Sequence, residues 1–375
     1  MVSDLESSDV GNALFVRHVS LTSFRNYARL DIDLSSGFNV IFGENGQGKT
    51  NFLESLVLVS STRLLRGMRD AEAILIGSER ASVSAVVGYR GMELGVILQP
   101  GIRKKALLNG LGLPRAADLI GRLPAVCVSA ADLPIVSGEP SDRRTFLDIE
   151  LAQLFPAYLR DLTIYKRAVE QRNALLRLAQ ETSVSPDQFH PWENQIADHG
   201  SAIRASRVRF VESLNEHARS VQAFLGLGEV LTLSYQPKDQ ATNAESLLDA
   251  LERHRPQETA RGSGLIGPHR DEVLIEVNGR EARLFGSQGQ QRTAMIAIKF
   301  ATYLFGKQEL GFAPLLLLDD LFSDLDFGRR SRLVEWVLGE AGQTLLTCTE
   351  ASSAGDKILS QAKCYRCELG NLYES

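Results

Sequence analysis

The sequence of 375 residues is short of cysteine and has no surplus of positive charge. Of its 4 cysteines, only Cys364 and Cys367 have a C-x-x-C spacing, and no second pair completes a zinc site. The 6 histidines show no metal-ligand spacing either. These absences exclude a metal centre built on cysteine or histidine, and they favour reduced thiols in a cytosolic core.

The formal net charge of -5 excludes a protein that is basic throughout, so a nucleic-acid partner would need a local basic patch. No apolar run approaches the length of a membrane span, and we expect no membrane partner. Residues 1–12 are acidic and polar, unlike a signal peptide, so we expect a short disordered tail on a cytoplasmic protein. The local basic candidates are Arg63, Arg66, Arg69, Arg103, Lys104 and Lys105.

A glycine-rich segment, GENGQGKT, carries the first chemical signal. It matches G-x-x-x-x-G-K-[ST] between a predicted strand, 38–42, and a predicted helix, 51–60. Backbone N–H groups of such a loop surround a phosphate, Lys49 reaches the β- and γ-oxygens, and the Thr50 hydroxyl ligates Mg²⁺. The alternative is a chance glycine-rich turn. The predicted nucleotide-binding residues are Gly43, Glu44, Asn45, Gly46, Gln47, Gly48, Lys49, Thr50 and Asn51.

A second signal is the run PLLLLDD at residues 314–320. Four leucines predict a buried strand, and a parallel sheet places ligand groups at the carboxyl end of such a strand. We expect Asp319 to hold Mg²⁺ through water, and Asp320 to polarise the attacking water as the catalytic partner of Lys49. An ordinary strand-end turn is the alternative. The following SDLD, 323–326, taken alone indicates a helix N-cap cluster.

A third signal is GSQGQQR, 286–292, directly before the apolar predicted helix 293–305. Small residues allow close backbone approach, a hydroxyl hydrogen-bonds phosphate, and a helix N-terminus favours an anion. In ATPases that work as pairs, such a loop faces the γ-phosphate held by the partner subunit. We therefore expect Ser287, Gln288, Gly289 and Gln290 to act only when ATP bridges two subunits.

The rest of the chain alternates strand-like and helical patterns. Residues 81–108 predict an antiparallel meander that ends in an Asn109-Gly110 turn, and Asn278-Gly279 predicts a second such turn. Residues 146–178 and 192–224 each carry one apolar helical stripe and predict a short antiparallel helical arm.

Together these segments resemble the ABC-type ATPases of the SMC/Rad50 kind and, within that group, the RecF family. The resemblance implies an α/β ATPase head assembled from both chain ends, 13–128 and 261–375, with an inserted helical arm, 129–260. It covers nearly the whole chain from Leu14 onward. The segments that carry it are LTSFRNYARLDIDL, NVIFGENGQGKTNFLES, SGEPSDRRTFLD, YKRAVEQRNALL, GPHRDEV, FGSQGQQRTAMIAIKFA and LLLLDDLFSDLD.

The resemblance also implies a function. An ATP-bound homodimer would bind gapped or double-stranded DNA and, with RecR and through it RecO, help to load RecA in recombinational gap repair. Weak, DNA-stimulated, Mg²⁺-dependent ATP hydrolysis would drive release. Ser287 would act on the partner's ATP, Asp324 and Asp326 would lie between the two ATP sites, and Arg25 would lie near the nucleotide.

Several departures from the family pattern leave alternatives open. SSTRLLRGMRDAE replaces a stretch that usually contains Ser-Phe-Arg, VCVSAADLPIVSG lacks the usual Pro-Glu, and the glutamine that senses Mg²⁺ in related heads has no clear position. A diverged relative that serves defence is one alternative. An ABC transporter subunit is another, but it predicts a histidine where this chain reads LLTCT, 345–349; a long tether is argued against by the short arm. His269 and Arg270 could suggest an acid/base pair, although a turn before a strand is the expected role.

Overall fold

The computed structural model describes residues 14–65, 69–88, 91–225, 228–322 and 327–375. The predicted tail, Arg66 and the two aspartates Asp324 and Asp326 lie outside these residues. The strands are β1 (Val16–Phe24), β2 (Tyr27–Asp33), β3 (Phe38–Phe42), β4 (Ala81–Val87), β5 (Met92–Gln99), β6 (Ile102–Leu108), β7 (Leu111–Gly112), β8 (Ala125–Val128), β9 (Leu231–Gln236), β10 (Glu272–Val277), β11 (Arg280–Glu281), β12 (Leu315–Leu318), β13 (Thr344–Cys348), β14 (Ala362–Glu368) and β15 (Asn371–Glu374).

The helices vary from one turn to nearly ten. None in the described part of the chain is both long and apolar enough to cross a membrane. They are α1 (Lys49–Ser61), α2 (Pro134–Ser137), α3 (Pro140–Leu154), α4 (Pro156–Glu181), α5 (His190–Phe224), α6 (Ala244–Arg261), α7 (Ala282–Phe285), α8 (Gln288–Leu310), α9 (Phe327–Glu340) and α10 (Asp356–Leu359).

A six-stranded sheet in the order β15-β14-β3-β13-β12-β8 combines strands from both ends of the chain. All its neighbours are parallel except β14 and β15. Every residue of β12 and β13 is buried, which explains the four consecutive leucines of β12, whereas β13 includes two buried threonines, Thr344 and Thr347. Because β3, β13 and β12 are neighbours and parallel, their carboxyl ends meet at one edge of the sheet.

A second six-stranded sheet, β2-β1-β4-β5-β6-β7, is antiparallel. Strand β4 alternates buried and half-buried residues, as expected of a sheet with one face on the core. Its inner face packs with α1 and the parallel sheet in a single apolar cluster. The predicted turn at Asn109-Gly110 is confirmed, with φ of 51° and 77°, because both positions of this turn require positive φ.

The described residues fall into two compact units. The head unit lies within Met1–Leu133, Ala223–Gly228 and Ile296–Ser375, and the arm unit lies within Pro134–Gln222 and Glu229–Met295. The head unit therefore does draw on both chain ends, whereas the arm unit extends past residue 260, where the sequence placed its end. The reason is strand pairing, since β10 pairs with β9 along its whole length.

The arm unit contains the predicted antiparallel helices, with one correction. The pattern over 146–178 suggested one helix, but α3 ends before Phe155 and α4 begins at Pro156. Proline lacks an N–H and fits the first position of a helix, so it separates the two. The arm also has a three-stranded sheet, β11-β10-β9, beside the helices.

One buried side chain, Gln343, joins the two ends of the chain inside the head unit. Its Oε1 accepts from the N–H of Val16 at 2.7 Å. Its Nε2 donates to the carbonyls of Val16 and Ser35, each at 2.7 Å. The side-chain amide thus forms hydrogen bonds with backbone groups, as a neighbouring strand would, and it connects segments more than 300 positions apart.

We expect Gln343→Ala to lower the free energy of unfolding by about 3 kcal/mol, because it leaves buried backbone groups without partners. Urea unfolding followed by circular dichroism measures this change. The control is Gln361→Ala at an exposed position, which should stay within about 0.5 kcal/mol of the unsubstituted protein. A similar small loss for both variants would show that Gln343 does not join the chain ends energetically.

Candidate nucleotide-binding site

Three glycines shape the loop between β3 and α1. Their φ angles are 149° at Gly43, 81° at Gly46 and 123° at Gly48, a region that favours glycine. A Cβ on Gly43 would lie 2.4 Å from the carbonyl oxygen of Cys367, and one on Gly48 would lie 2.7 Å from the amide nitrogen of Asn26. The loop therefore needs glycine at both ends for space as well as for backbone conformation.

The N-terminus of α1 is open to an anion. The helix begins at Lys49 after Gly48, which makes no side-chain cap, and its first turn contains no acidic residue. The first N–H groups of a helix have no acceptor within the helix, and they carry a partial positive charge. This end of α1 therefore has the properties of a phosphate site.

Lys49 is buried, at 7% exposure, inside the loop. Its ammonium donates to the carbonyls of Gly43 at 2.6 Å and Glu44 at 2.8 Å. A cation is thus held among the backbone groups at the start of the loop, next to the open helix end. Both features fit the phosphates of a nucleotide.

The two predicted Mg²⁺ ligands are brought together although they lie 269 positions apart. The hydroxyl of Thr50 donates to Asp319, with distances of 2.9 and 3.0 Å to the two carboxylate oxygens. Asp319 directly follows β12, and its own N–H donates to the carbonyl of Val128 at the end of β8. A hydroxyl and a carboxylate are the hard oxygen ligands that Mg²⁺ prefers.

The described residues contain no group of three or more His, Cys, Asp or Glu side chains that could hold a metal ion. A cation at Thr50 and Asp319 would therefore need oxygens from elsewhere. Mg²⁺ commonly binds proteins through one or two carboxylates and completes its shell with water and substrate phosphates. The residues present fit that arrangement.

Asp320 has a left-handed backbone, with φ of 49°. Its N–H donates to the hydroxyl of Thr347 at 2.9 Å. The same hydroxyl donates to Asp319 at 2.8 Å. Both predicted acidic residues are thus connected to β13, a link that no local sequence signal indicated.

A second set of contacts encloses the loop from outside and was also missed from the sequence. In the turn between β1 and β2, the amide of Asn26 donates to the carbonyl of Gln47 at 2.8 Å and accepts from Asn51 at 2.8 Å. The hydroxyl of Tyr27 donates to the carbonyl of Gly48 at 2.9 Å. Burial raises the pKa of Tyr27, which keeps this donor protonated.

The turn between β14 and β15 holds the same loop. The N–H of Leu369 donates to the side-chain oxygen of Gln47 at 2.7 Å, and the N–H of Gly370 donates to its carbonyl at 3.0 Å. Gln47 is thereby fixed by residues from both ends of the chain, Asn26 among them.

Arg25 contacts α1 and a neighbouring backbone carbonyl. Its guanidinium donates to both carboxylate oxygens of Glu54, at 2.7 and 3.0 Å, and to the carbonyl of Glu72 at 2.8 Å. The pair with Glu54 is bidentate and mostly buried, so the side chain is firmly held. A contact between Arg25 and nucleotide stays a prediction.

The helix predicted over 293–305 begins earlier, at Gln288, so most of the predicted polar loop is the first turn of α8, and it belongs to the arm unit. The hydroxyl of Ser287 accepts from the N–H of Gln290 at 3.3 Å, and the side chain of Gln290 accepts from the N–H of Ser287 at 2.9 Å. These reciprocal bonds form a capping box that fixes the start of the helix. Ser287, Gln288 and Gly289 are exposed, and Gln290 is half-buried.

Two titratable groups are poor candidates for chemistry at neutral pH. Burial lowers the pKa of His269 to about 4, and its Nδ1 lies 2.6 Å from the hydroxyl of Tyr165. It lies in the turn from Gly267 to Arg270, just before β10, in agreement with the expected structural role. Burial raises the pKa of Cys348 to about 12, so this thiol stays protonated.

Comparisons with known proteins agree with this geometry. A family model described as "AAA domain" matches residues 18–85. The protein "DNA replication and repair protein RecF" of Shouchella clausii is 35% identical over 370 residues, which cover 96% of this chain and 99% of that protein. The protein of the same name from Synechococcus sp. (strain JA-3-3Ab) is 38% identical and covers 96% and 98%.

Solved structures give the same result. The recombination mediator protein RecF with ATP, of the RecFOR pathway, matches with a TM-score of 0.88 and 26% identity over 97% of this chain and 98% of that one. An Smc head domain from Pyrococcus furiosus matches with a TM-score of 0.56 and 16% identity over 96% of both chains, a likeness of fold alone.

The sheet order, the phosphate loop and the contact of the Thr50 hydroxyl with the Asp319 carboxylate define an ABC-type P-loop ATPase, and the predicted fold class is confirmed. Within that class, the chain belongs to the RecF family. The expected resemblance is therefore confirmed, and nothing favours the transporter subunit or the long tether.

We expect Asn26→Ala to weaken ATP binding about tenfold, since about 1.4 kcal/mol of loop-fixing hydrogen bonds would be lost. Titration with a fluorescent ATP analogue measures the affinity. Asn194→Ala, at an exposed position of α5, is the control and should bind like the unsubstituted protein. Equal affinities for all three proteins would contradict a role for Asn26 in holding the loop.

Proposed function

We propose that this protein is an ATP-dependent, DNA-binding recombination mediator. As an ATP-bound homodimer it binds gapped or double-stranded DNA and, with RecR and through it RecO, helps to load RecA in cytoplasmic gap repair and replication restart. The observation that carries the proposal is the junction of Thr50 with Asp319 beside the buried ammonium of Lys49. It is supported by relatives named DNA replication and repair protein RecF over nearly the whole chain.

The nucleotide site is proposed to bind ATP through the loop 43–51. The N-terminus of α1 and Lys49 meet the phosphates, and Thr50 with Asp319 holds Mg²⁺. When bound, the metal would offset charge on the β- and γ-phosphates. Asp320 then holds the attacking water in place for slow hydrolysis, which DNA stimulates and which ends DNA binding.

The exposed N-terminal end of α8, with Ser287 directly before it, supports the proposal of a homodimer. A Cβ on Gly289 would find open space, with the hydroxyl of Ser287 4.0 Å away as its nearest neighbour, and the residue does not have positive φ. The fold of a single chain therefore gives no reason for glycine at this position. Close approach of a partner's nucleotide does give one, and it uses Ser287 as the phosphate donor.

The proposed DNA binding is supported by only a few exposed basic side chains. Arg63, Arg69, Arg103 and Lys105 are exposed, so they are available to phosphates. The ammonium of Lys104, in contrast, is engaged by Asp70 and by a backbone carbonyl. The proposed DNA contact therefore uses a few local cations on a chain that is acidic overall.

We expect ATP to strengthen binding of a fluorescent gapped duplex on the order of tenfold in the unsubstituted protein. Lys49→Met removes the phosphate ligand, and Ser287→Arg places a bulky cation in the loop, so neither should respond to ATP. Fluorescence anisotropy measures all of these affinities.

The control for the added charge is Gln308→Arg, at an exposed position of the same helix, which should respond to ATP like the unsubstituted protein. If all four proteins bind DNA alike with and without ATP, the coupling of nucleotide to DNA is wrong. If none binds DNA while ATP is still held, the proposed DNA role is wrong and the ATPase assignment stands.

A further inference from the structure

The carboxyl end of β13 lies between the two halves of the nucleotide site. Strand β13 pairs with β3, which leads into the phosphate loop, and with β12, which leads into Asp319. Thr347 is the residue before the last one of β13, and it is fully buried. A polar side chain at this point can contact both halves.

The hydroxyl of Thr347 is used both as a donor and as an acceptor. It donates to Oδ1 of Asp319 at 2.8 Å and accepts from the N–H of Asp320 at 2.9 Å. A hydroxyl has one hydrogen to donate, and here it goes to the same carboxylate that the Thr50 hydroxyl contacts. The carboxylate of Asp319 thus accepts hydrogen bonds from two hydroxyls.

The contact with Asp320 has a second consequence. This residue has a φ of 49°, a conformation that costs free energy for a residue other than glycine. Its N–H points to a buried hydroxyl instead of continuing a strand. Thr347 therefore stabilises the backbone conformation of Asp320, and this conformation sets the position from which the Asp320 side chain extends.

We propose that Thr347 is a positioning residue for ATP hydrolysis. Its hydroxyl sets the orientation of Asp319 and the backbone of Asp320, and it acts through them rather than on ATP. The inference rests on the proposed ATPase function and adds to it a residue in the region where a transporter subunit would be expected to have a histidine. The proposal predicts that loss of the Thr347 hydroxyl weakens Mg²⁺-dependent ATP binding and lowers kcat. ATP binding in the absence of Mg²⁺ should be unchanged.

Three substitutions separate positioning from packing. Thr347→Val keeps the shape and removes the hydroxyl, whereas Thr347→Ser keeps the hydroxyl and removes a methyl group. Thr344→Val is the matched control, because Thr344 lies on the same strand, is fully buried, and donates its hydroxyl to the carbonyl of Gly342 at 3.1 Å. It loses the same group away from the site.

The first readout is binding of a fluorescent ATP analogue, titrated with and without Mg²⁺. Mg²⁺ should raise the affinity for the ATP analogue in the unsubstituted protein. We expect Thr347→Val to reduce this gain in affinity by about 10–100-fold, the usual effect of removing a hydrogen-bond partner of a metal ligand. Binding without Mg²⁺ should change less than about twofold. In steady-state assays kcat should fall by about 10–100-fold, with Thr347→Ser restoring most of it. The thermal midpoint without nucleotide reports any general loss of stability.

Two results would overturn the proposal. One is a Thr347→Val protein with Mg²⁺ dependence and kcat within twofold of the unsubstituted protein. The other is an equal loss in Thr347→Val and Thr344→Val that follows their thermal midpoints, which would assign both residues to packing. If the unsubstituted protein itself neither binds nor hydrolyses ATP, the proposed function fails instead, and the two failures are distinct.

Discussion

The side-by-side placement of β3, β13 and β12 in one parallel sheet is the constraint on which the rest of the head depends. The three strands are neighbours in register, so the residues that follow them share one edge. Thr50, just past the loop after β3, and Asp319, just past β12, therefore come within hydrogen-bond distance. A slip of register would separate the hydroxyl from the carboxylate and leave two unrelated turns.

This sheet also brings the C-terminal segment of the chain next to the N-terminal segment. Strand β3 comes from the first part of the chain, and both of its neighbours come from the last part. Gln343 adds side-chain hydrogen bonds at the opposite end of β13. The nucleotide loop is supported by the C-terminal hairpin, through Gln47, in addition to its own strand and helix. Loss of the C-terminal hairpin would leave the loop with the contacts from Asn26 and Tyr27 but without those from Leu369 and Gly370.

The features that could be predicted from the sequence are those determined by neighbouring residues in the chain. The glycine spacing around Lys49, the apolar strand before Asp319 and the Asn109-Gly110 turn all fix their own conformation, and the structure has each of them as predicted. Asn26 and Thr347 left no such signal, because the polar side chain of each forms hydrogen bonds with residues that are distant in the sequence, Gln47 and Asp319 respectively. The same reason explains the arm boundary, since pairing of β10 with β9 is a long-range contact.

A double-mutant cycle on Thr50 and Asp319 tests most directly whether the two halves form one site. ATP affinity in the presence of Mg²⁺ would be measured for Thr50→Val, Asp319→Asn and the double variant of the full chain. If the hydroxyl and the carboxylate act on one ion, the double variant should bind little worse than the weaker single variant, a coupling of about 1 kcal/mol or more. Additive losses, within about 0.5 kcal/mol, would show that the two residues act independently and would contradict the account.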